Sequence, residues 1–332
     1  MLFKKFRETG PDAIFLIFIV LVLTWTGSFL QPHSPAELYF DIKPMPLFGL
    51  LLALTGSNPL ISVLFAFVLV VLISFMLVNF NTSVFFISER TFLPALIFGL
   101  LTSFFPQQQV LNPVLPASVF LILAIRRIMD SYRIQGTAFS FYDAGMLISI
   151  GSLFYATFVW FGLLLIIGIV ILRTGNIKEI LISVFGLLTP LFILYGFFYV
   201  TGKDMHLLLA AVTYNLFTKV SNFDIPPETL VAGIISGSII LISASHLLTV
   251  INAKKIKSRK TFVLLFWIVI ITIVLYLLFK SVSVEIIWLT AIPACYFLSH
   301  YFVFAKRKRI PAILLAILFI LSGFVQLLRF MH

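Results

Sequence analysis

The chain has 332 residues, of which 61% are hydrophobic and only 11% charged, with a formal net charge of +11. Apolar runs of about 20 residues, the length that crosses about 30 Å of hydrocarbon, exclude an ordinary soluble globule. The excess of Lys and Arg sits between those runs, the pattern of basic cytoplasmic loops, so nucleic acid is not an expected partner. One cysteine, Cys295, excludes an internal disulfide or a cysteine metal cluster.

In chain order, the basic lead MLFKKFRETG precedes an apolar run at 13–30. It is long for a signal-peptide core and no A-x-A-like site follows, so it reads as an uncleaved first span. An outer loop and half-helix follow at 31–59, QPHSPAELYFDIKPMPLFGLLLALTGSNP. The loop carries Glu37, Asp41 and Lys43, and its apolar end, 45–54, is too short to cross a bilayer. Span two is predicted at 60–80. A group of short spans follows at 92–105, 113–125, 141–156 and 159–172. Full-length spans are then predicted at 180–200, 229–250, 261–279, 284–304 and 310–328. This is an all-α polytopic bundle of about 11 spans, read as one integral membrane domain over 1–332.

Only Lys43, Lys203, Lys219, Lys280 and Arg329 of the 23 Lys and Arg fall on one side of that alternation. The positive-inside rule therefore puts the N-terminus inside and the C-terminus outside. The short spans run about 20–24 Å at 1.5 Å per residue, less than the hydrocarbon thickness. Their inner ends are fixed by Arg90, Arg126, Asp143 and Arg173, so the shortfall falls on the outer side, at PQQQVLNP. Polar groups there, Gln107, Gln108, Gln109 and Asn112, need either a protein cover or a wet cavity. The expectation is an outward recess roofed by 31–59; the alternative is local bilayer thinning. An interfacial helix is predicted at 203–219, KDMHLLLAAVTYNLFTK, with Met205, Leu208, Leu209, Val212 and Leu216 on one face and Asp204, Thr213 and Asn215 on other angles. Gly233 and Gly237 form a G-x-x-x-G, read as packing within the chain rather than a dimer contact.

No P-loop, G-x-G-x-x-G or H-E-x-x-H motif is present, and no cofactor is implied. His33, His206, His246, His300 and His332 show no metal-ligand spacing, so no metal site is predicted, and His246 and His300 read as hydrogen-bonded packing residues. No Asp or Glu is predicted mid-membrane, which argues against proton-coupled transport; Glu285 and Lys280 are placed at an outer turn, paired with each other or facing water.

The opening loop, followed by ERTFLPALIFGLLTSFFP and FYDAGMLISIGSLFYATFVW, resembles the membrane-embedded GT-C type of glycosyltransferase over 13–200. Those enzymes take sugars from polyprenyl-phosphate carriers at the outer face and place an acid in the first outer loop. In place of that loop's adjacent acidic pair, this chain has Glu37 and Asp41, four residues apart. The resemblance implies Asp41 as general base with Glu37 as second choice, and a bacterial cytoplasmic membrane as the location. An outer-face substrate would meet Lys43, Gln108, Asn112, Lys203 and Lys280, with membrane lipids, polyprenyl phosphate among them, as partners. The other readings are a non-catalytic subunit that packs against membrane protein partners, and a lipid or small-molecule transporter.

Overall fold

The computed structural model describes residues 10–32, 43–55, 58–134, 136–173, 175–202, 204–218, 226–307 and 309–331. Among them are 13 α-helices and no strand. They are α1 (Pro11–Leu30), α2 (Pro46–Thr55), α3 (Pro59–Val84), α4 (Leu93–Ser103), α5 (Val114–Asp130), α6 (Ser140–Ser152) and α7 (Leu163–Arg173). Then come α8 (Ile177–Val200), α9 (Met205–Phe217), α10 (Pro227–Val250), α11 (Ile256–Leu278), α12 (Ile287–Phe304) and α13 (Arg309–Met331). Every segment expected to span is helical, and eight helical stretches are long and apolar enough to cross a membrane.

The shortest elements are the most enclosed. All 11 residues of α4 are buried, and α12 is buried along most of its length, so these two apolar-all-round helices form the centre. The outer helices face away from protein: of the 24 residues of α8 only Glu179, Ser183, Gly186 and Pro190 are buried. Phe185, Phe192 and Ile193 stand more than 60% exposed, surface that water would penalise and lipid would not.

Two boundaries differ from expectation for a reason. Arg126 and Arg127 do not end a span; α5 continues to Asp130, because Arg127 lies on the helix surface within 3.9 Å of Asp130 and 3.6 Å of Asp143. The segment expected at 159–172 starts earlier, a 3-10 turn Ala156–Gly162 running into α7, so Ala156–Arg173 reaches 18 residues.

Contacts define two ends of the bundle. At the basic end Lys254 sits 3.8 Å above the Phe304 ring and Thr261 meets Met129. There too Arg173 donates to the carbonyls of Ile134 and Gly136. At the opposite end Ser28 donates to Gln109 (2.8 Å), the Leu47 amide to the Leu153 carbonyl (3.1 Å), and Asn215 Nδ2 to the Lys43 carbonyl (2.7 Å).

Candidate functional site

Two prolines, Pro44 and Pro46, start the half-helix α2, and the Leu47 amide, which has no partner within the first turn, is satisfied by Leu153 at the end of α6. Asp204 caps α9, its carboxylate accepting from the His206 amide at 2.8 Å. Between α2, α6, α8 and α9 lies a cavity of about 990 Å³. Leu47, Leu50, Ile150, Phe197, Leu208 and Asp204 are among the residues lining it, and Asp204 is the one charged residue of that lining among the described residues. Leu50, Ile193, Phe197 and Leu207 in its wall are each more than half exposed, so this side is not sealed by protein.

A recess under the half-helix is therefore present, but the turn at 106–112 does not line it, and its walls are apolar rather than wet. The polar turn takes the other solution, cover by protein. Asn112 is buried and caps α5: Oδ1 accepts from the amides of Val114 (3.1 Å) and Leu115 (3.0 Å), and Nδ2 donates to the carbonyls of Gln108 and Val110. Gln109 joins Ser28, the Thr24 carbonyl and Gln326, which in turn reaches the Ser103 carbonyl. Gln108 is buried with neither side-chain atom bonded among the described residues; Gln107 is exposed. Asn112 thus serves the fold, and neither it nor Gln108 reaches the cavity.

Lys43 borders the cavity through Pro44, its ammonium 4.9 Å above the Tyr214 ring, an arrangement that favours a cation. Lys280 is exposed. Glu37, Asp41 and Lys203 lie outside the described residues. In α9, Leu208, Val212 and Leu216 are partly covered as expected, but Leu209 is 56% exposed and Asn215 faces inward, drawn there by the Lys43 carbonyl.

Sequence reasoning missed two clusters. Glu285 does not face water: it is fully buried, Oε1 accepting from Tyr155 Oη (3.1 Å) and the Ser283 amide (2.9 Å), while Oε2 has no partner among the described residues. At the basic end His246 and His300 are neighbours, ring centroids 6.4 Å apart. His300 is fully buried against Phe262 and Phe304, and neither ring nitrogen is hydrogen-bonded among the described residues, against the expectation for a packing histidine. Burial pulls the nearby Lys254 ammonium below the usual lysine range, and the Glu89 charge pushes it back up. Among the described residues no three His, Cys, Asp or Glu gather as metal ligands.

Among the described residues the fold is all-helical, and eight stretches long and apolar enough to cross a membrane point to a membrane protein. Residues 44–331 match DUF6427, a family of unknown function, and the chain belongs to that family. No curated protein and no solved structure matches it.

Proposed function

We propose that the protein is a multi-pass component of a bacterial cytoplasmic membrane, basic end in the cytoplasm, that takes the hydrocarbon chain of a lipid into the α2–α6–α8–α9 cavity and acts on its head group at the outer face. The observation that carries this reading is the cavity itself: about 990 Å³, apolar, under a half-helix, at the end away from the basic loops. Its volume lies at the upper limit of ordinary small-molecule pockets, and apolar walls with few polar groups suit a lipid tail. Positive loops favour the cytoplasmic side. Lys43, held at the cavity border, suits a head-group phosphate.

The reaction that the GT-C resemblance suggests is sugar transfer from a polyprenyl phosphate, with Asp41 or Glu37 as base. The test has two stages. A palmitoyl phospholipid carrying a diazirine in the tail should cross-link to α9 or α8, and Leu208→Trp, which narrows the cavity, should weaken the cross-link. Labelling confined to the general surface and indifferent to Leu208→Trp would remove the cavity reading. Glycan profiling of cells carrying Asp41→Asn with Glu37→Gln then addresses transfer, since loss of a general base costs about 10²–10⁴ in rate. Full function in that double variant would favour the non-catalytic subunit, for which the exposed faces of α8 and α10 offer contact surface.

A further inference from the structure

At the basic end of the bundle the end of α5 meets the start of α11. The buried Thr261 Oγ1 lies 3.6 Å from Sδ of the buried Met129, which fixes the two helices against each other. Tyr132 follows Met129, and Lys260 precedes Thr261. The Lys260 ammonium stands 5.5 Å from the centre of the Tyr132 ring, and the Arg133 guanidinium stands 5.2 Å from the same ring. Lys257 comes three residues before Lys260 and four before Thr261, so it shares their side of α11.

An aromatic face attracts a cation, but cations of like sign gathered at one ring repel each other. Elsewhere at this end the protein supplies the counter-charge itself. Arg127 lies near Asp130 and Asp143, and Arg173 pairs with Glu179. Arg133, Lys257 and Lys260 form no ion pair among the described residues. The first turn of α11 holds no acid, so Lys257 also sits at the positive end of a helix, the placement that the helix dipole disfavours. An anion among these side chains offsets both costs. Its chemistry follows from the surroundings. Ile134 and Ile256, next in sequence to cations of the patch, are exposed, as is Phe139 on the α5–α6 connection. Exposed apolar side chains beside clustered cations suit the edge of a bilayer, where a phosphate and a hydrocarbon chain are presented together.

We propose that Arg133, Lys257 and Lys260, gathered about the Tyr132 ring, bind the phosphate of an anionic phospholipid in the leaflet at the basic end. The guanidinium offers paired N–H donors to two phosphate oxygens, and the two ammonium groups add charge. The acyl chains lie against Ile134, Phe139 and Ile256. This site is at the opposite end of the bundle from the α2–α6–α8–α9 cavity, and its failure leaves the cavity reading as it stands.

Head-group cross-linking tests it on the full chain in detergent. Palmitoyl-oleoyl phosphatidylglycerol carrying a diazirine on its head-group glycerol should label peptides containing Tyr132 or Ile256. A choline phospholipid with the same photolabel should label them less. A cation at a membrane surface is worth about fivefold in binding, so Arg133→Gln and Lys260→Gln should each raise the lipid concentration for half-maximal labelling by about that factor. Arg133→Lys combined with Lys260→Arg keeps both charges and should stay near the wild-type value. Lys255→Gln combined with Arg259→Gln removes two exposed charges at other angles of α11 and should have far less effect than the two Gln changes at the ring. Unfolding midpoints without lipid report that each variant is folded. Equal weakening by the Lys255 and Arg259 pair would reduce the patch to diffuse positive charge and overturn the site, as would labelling indifferent to head-group charge. Displacement of the lipid by an equal concentration of inorganic phosphate would make the occupant a soluble anion and overturn the lipid assignment.

Discussion

Tyr155 donates a 3.1 Å hydrogen bond to Glu285 across 130 residues of sequence, and both side chains are shut off from solvent. The bond ties the turn before Ala156–Gly162 to the turn that leads into α12, close to Ser281, whose hydroxyl donates to the Leu216 carbonyl of α9. A buried carboxyl group with too few partners is costly. Tyr155→Phe removes one of the contacts to Oε1 and should lower stability by about 1–3 kcal/mol. Glu285→Gln, which keeps an acceptor there, should cost less than Glu285→Ala. Thermal unfolding in detergent measures all three; wild-type behaviour in Tyr155→Phe would mean the bond contributes nothing.

Arg173 and Glu179 form the corresponding clamp at the basic end, 2.9 Å apart with the Glu179 side chain fully buried. Arg173 also holds the carbonyls of Ile134 and Gly136, so a single guanidinium organises the connection between α5 and α6. Removing one member of a buried pair leaves the other charge uncompensated and typically costs about 3–5 kcal/mol. Arg173→Ala should therefore be more damaging than Arg173→Met combined with Glu179→Leu. A double-mutant cycle on unfolding midpoints checks the ordering, and additive losses would show that the two side chains do not act as a pair.

How much of this was legible in the sequence depends on distance along the chain. The half-helix and the interfacial helix were readable because prolines, charges and helical apolar spacing are local signals. Asn215 was misplaced because its inward turn is set by the Lys43 carbonyl, 172 residues away. The shortness of α4 was seen correctly, but its consequence was not. A short apolar helix can be matched by surrounding protein as well as by a recess, and only the packing of α1, α3, α12 and α13 around it decides. Glu285 beside Tyr155 and His246 beside His300 are encounters between distant segments, for which no spacing rule exists. The GT-C resemblance rested on the texture of the first 200 residues; family membership over 44–331 carries no activity with it.

Cysteine labelling separates the two ends of the bundle. Lys255 and Thr213 are both exposed, the first next to the basic end and the second on α9. In intact cells a membrane-impermeant thiol reagent should modify Thr213→Cys and spare Lys255→Cys until the cells are opened. The reverse pattern would invert the assignment. In the same assay Gln108→Cys and Asn112→Cys should stay unreactive, because both positions are covered by protein. Asn112→Ala should in addition cost about 0.5–2 kcal/mol through loss of the α5 cap.

His300 supplies the sharpest test of how the basic end is built. Its ring is fully buried, flanked by Phe262 at 5.3 Å and Phe304 at 4.9 Å between centroids, with His246 on another side. A neutral imidazole carries one N–H donor and one acceptor nitrogen, and neither finds a partner among the described residues. Leaving a buried polar group unsatisfied costs about 1–3 kcal/mol, whereas an apolar group of similar shape avoids the penalty. Phenylalanine has a similar planar ring and suits the aromatic surroundings. His300→Phe should thus unfold at the wild-type temperature or a few degrees above it. His300→Ala, which leaves a void beside Phe262 and Phe304, should unfold well below it. If His300→Phe is instead destabilised as strongly as His300→Ala, the ring nitrogens are bonded to something other than the described side chains. Repeating the measurement with His246→Phe then identifies whether the neighbouring imidazole shares in it.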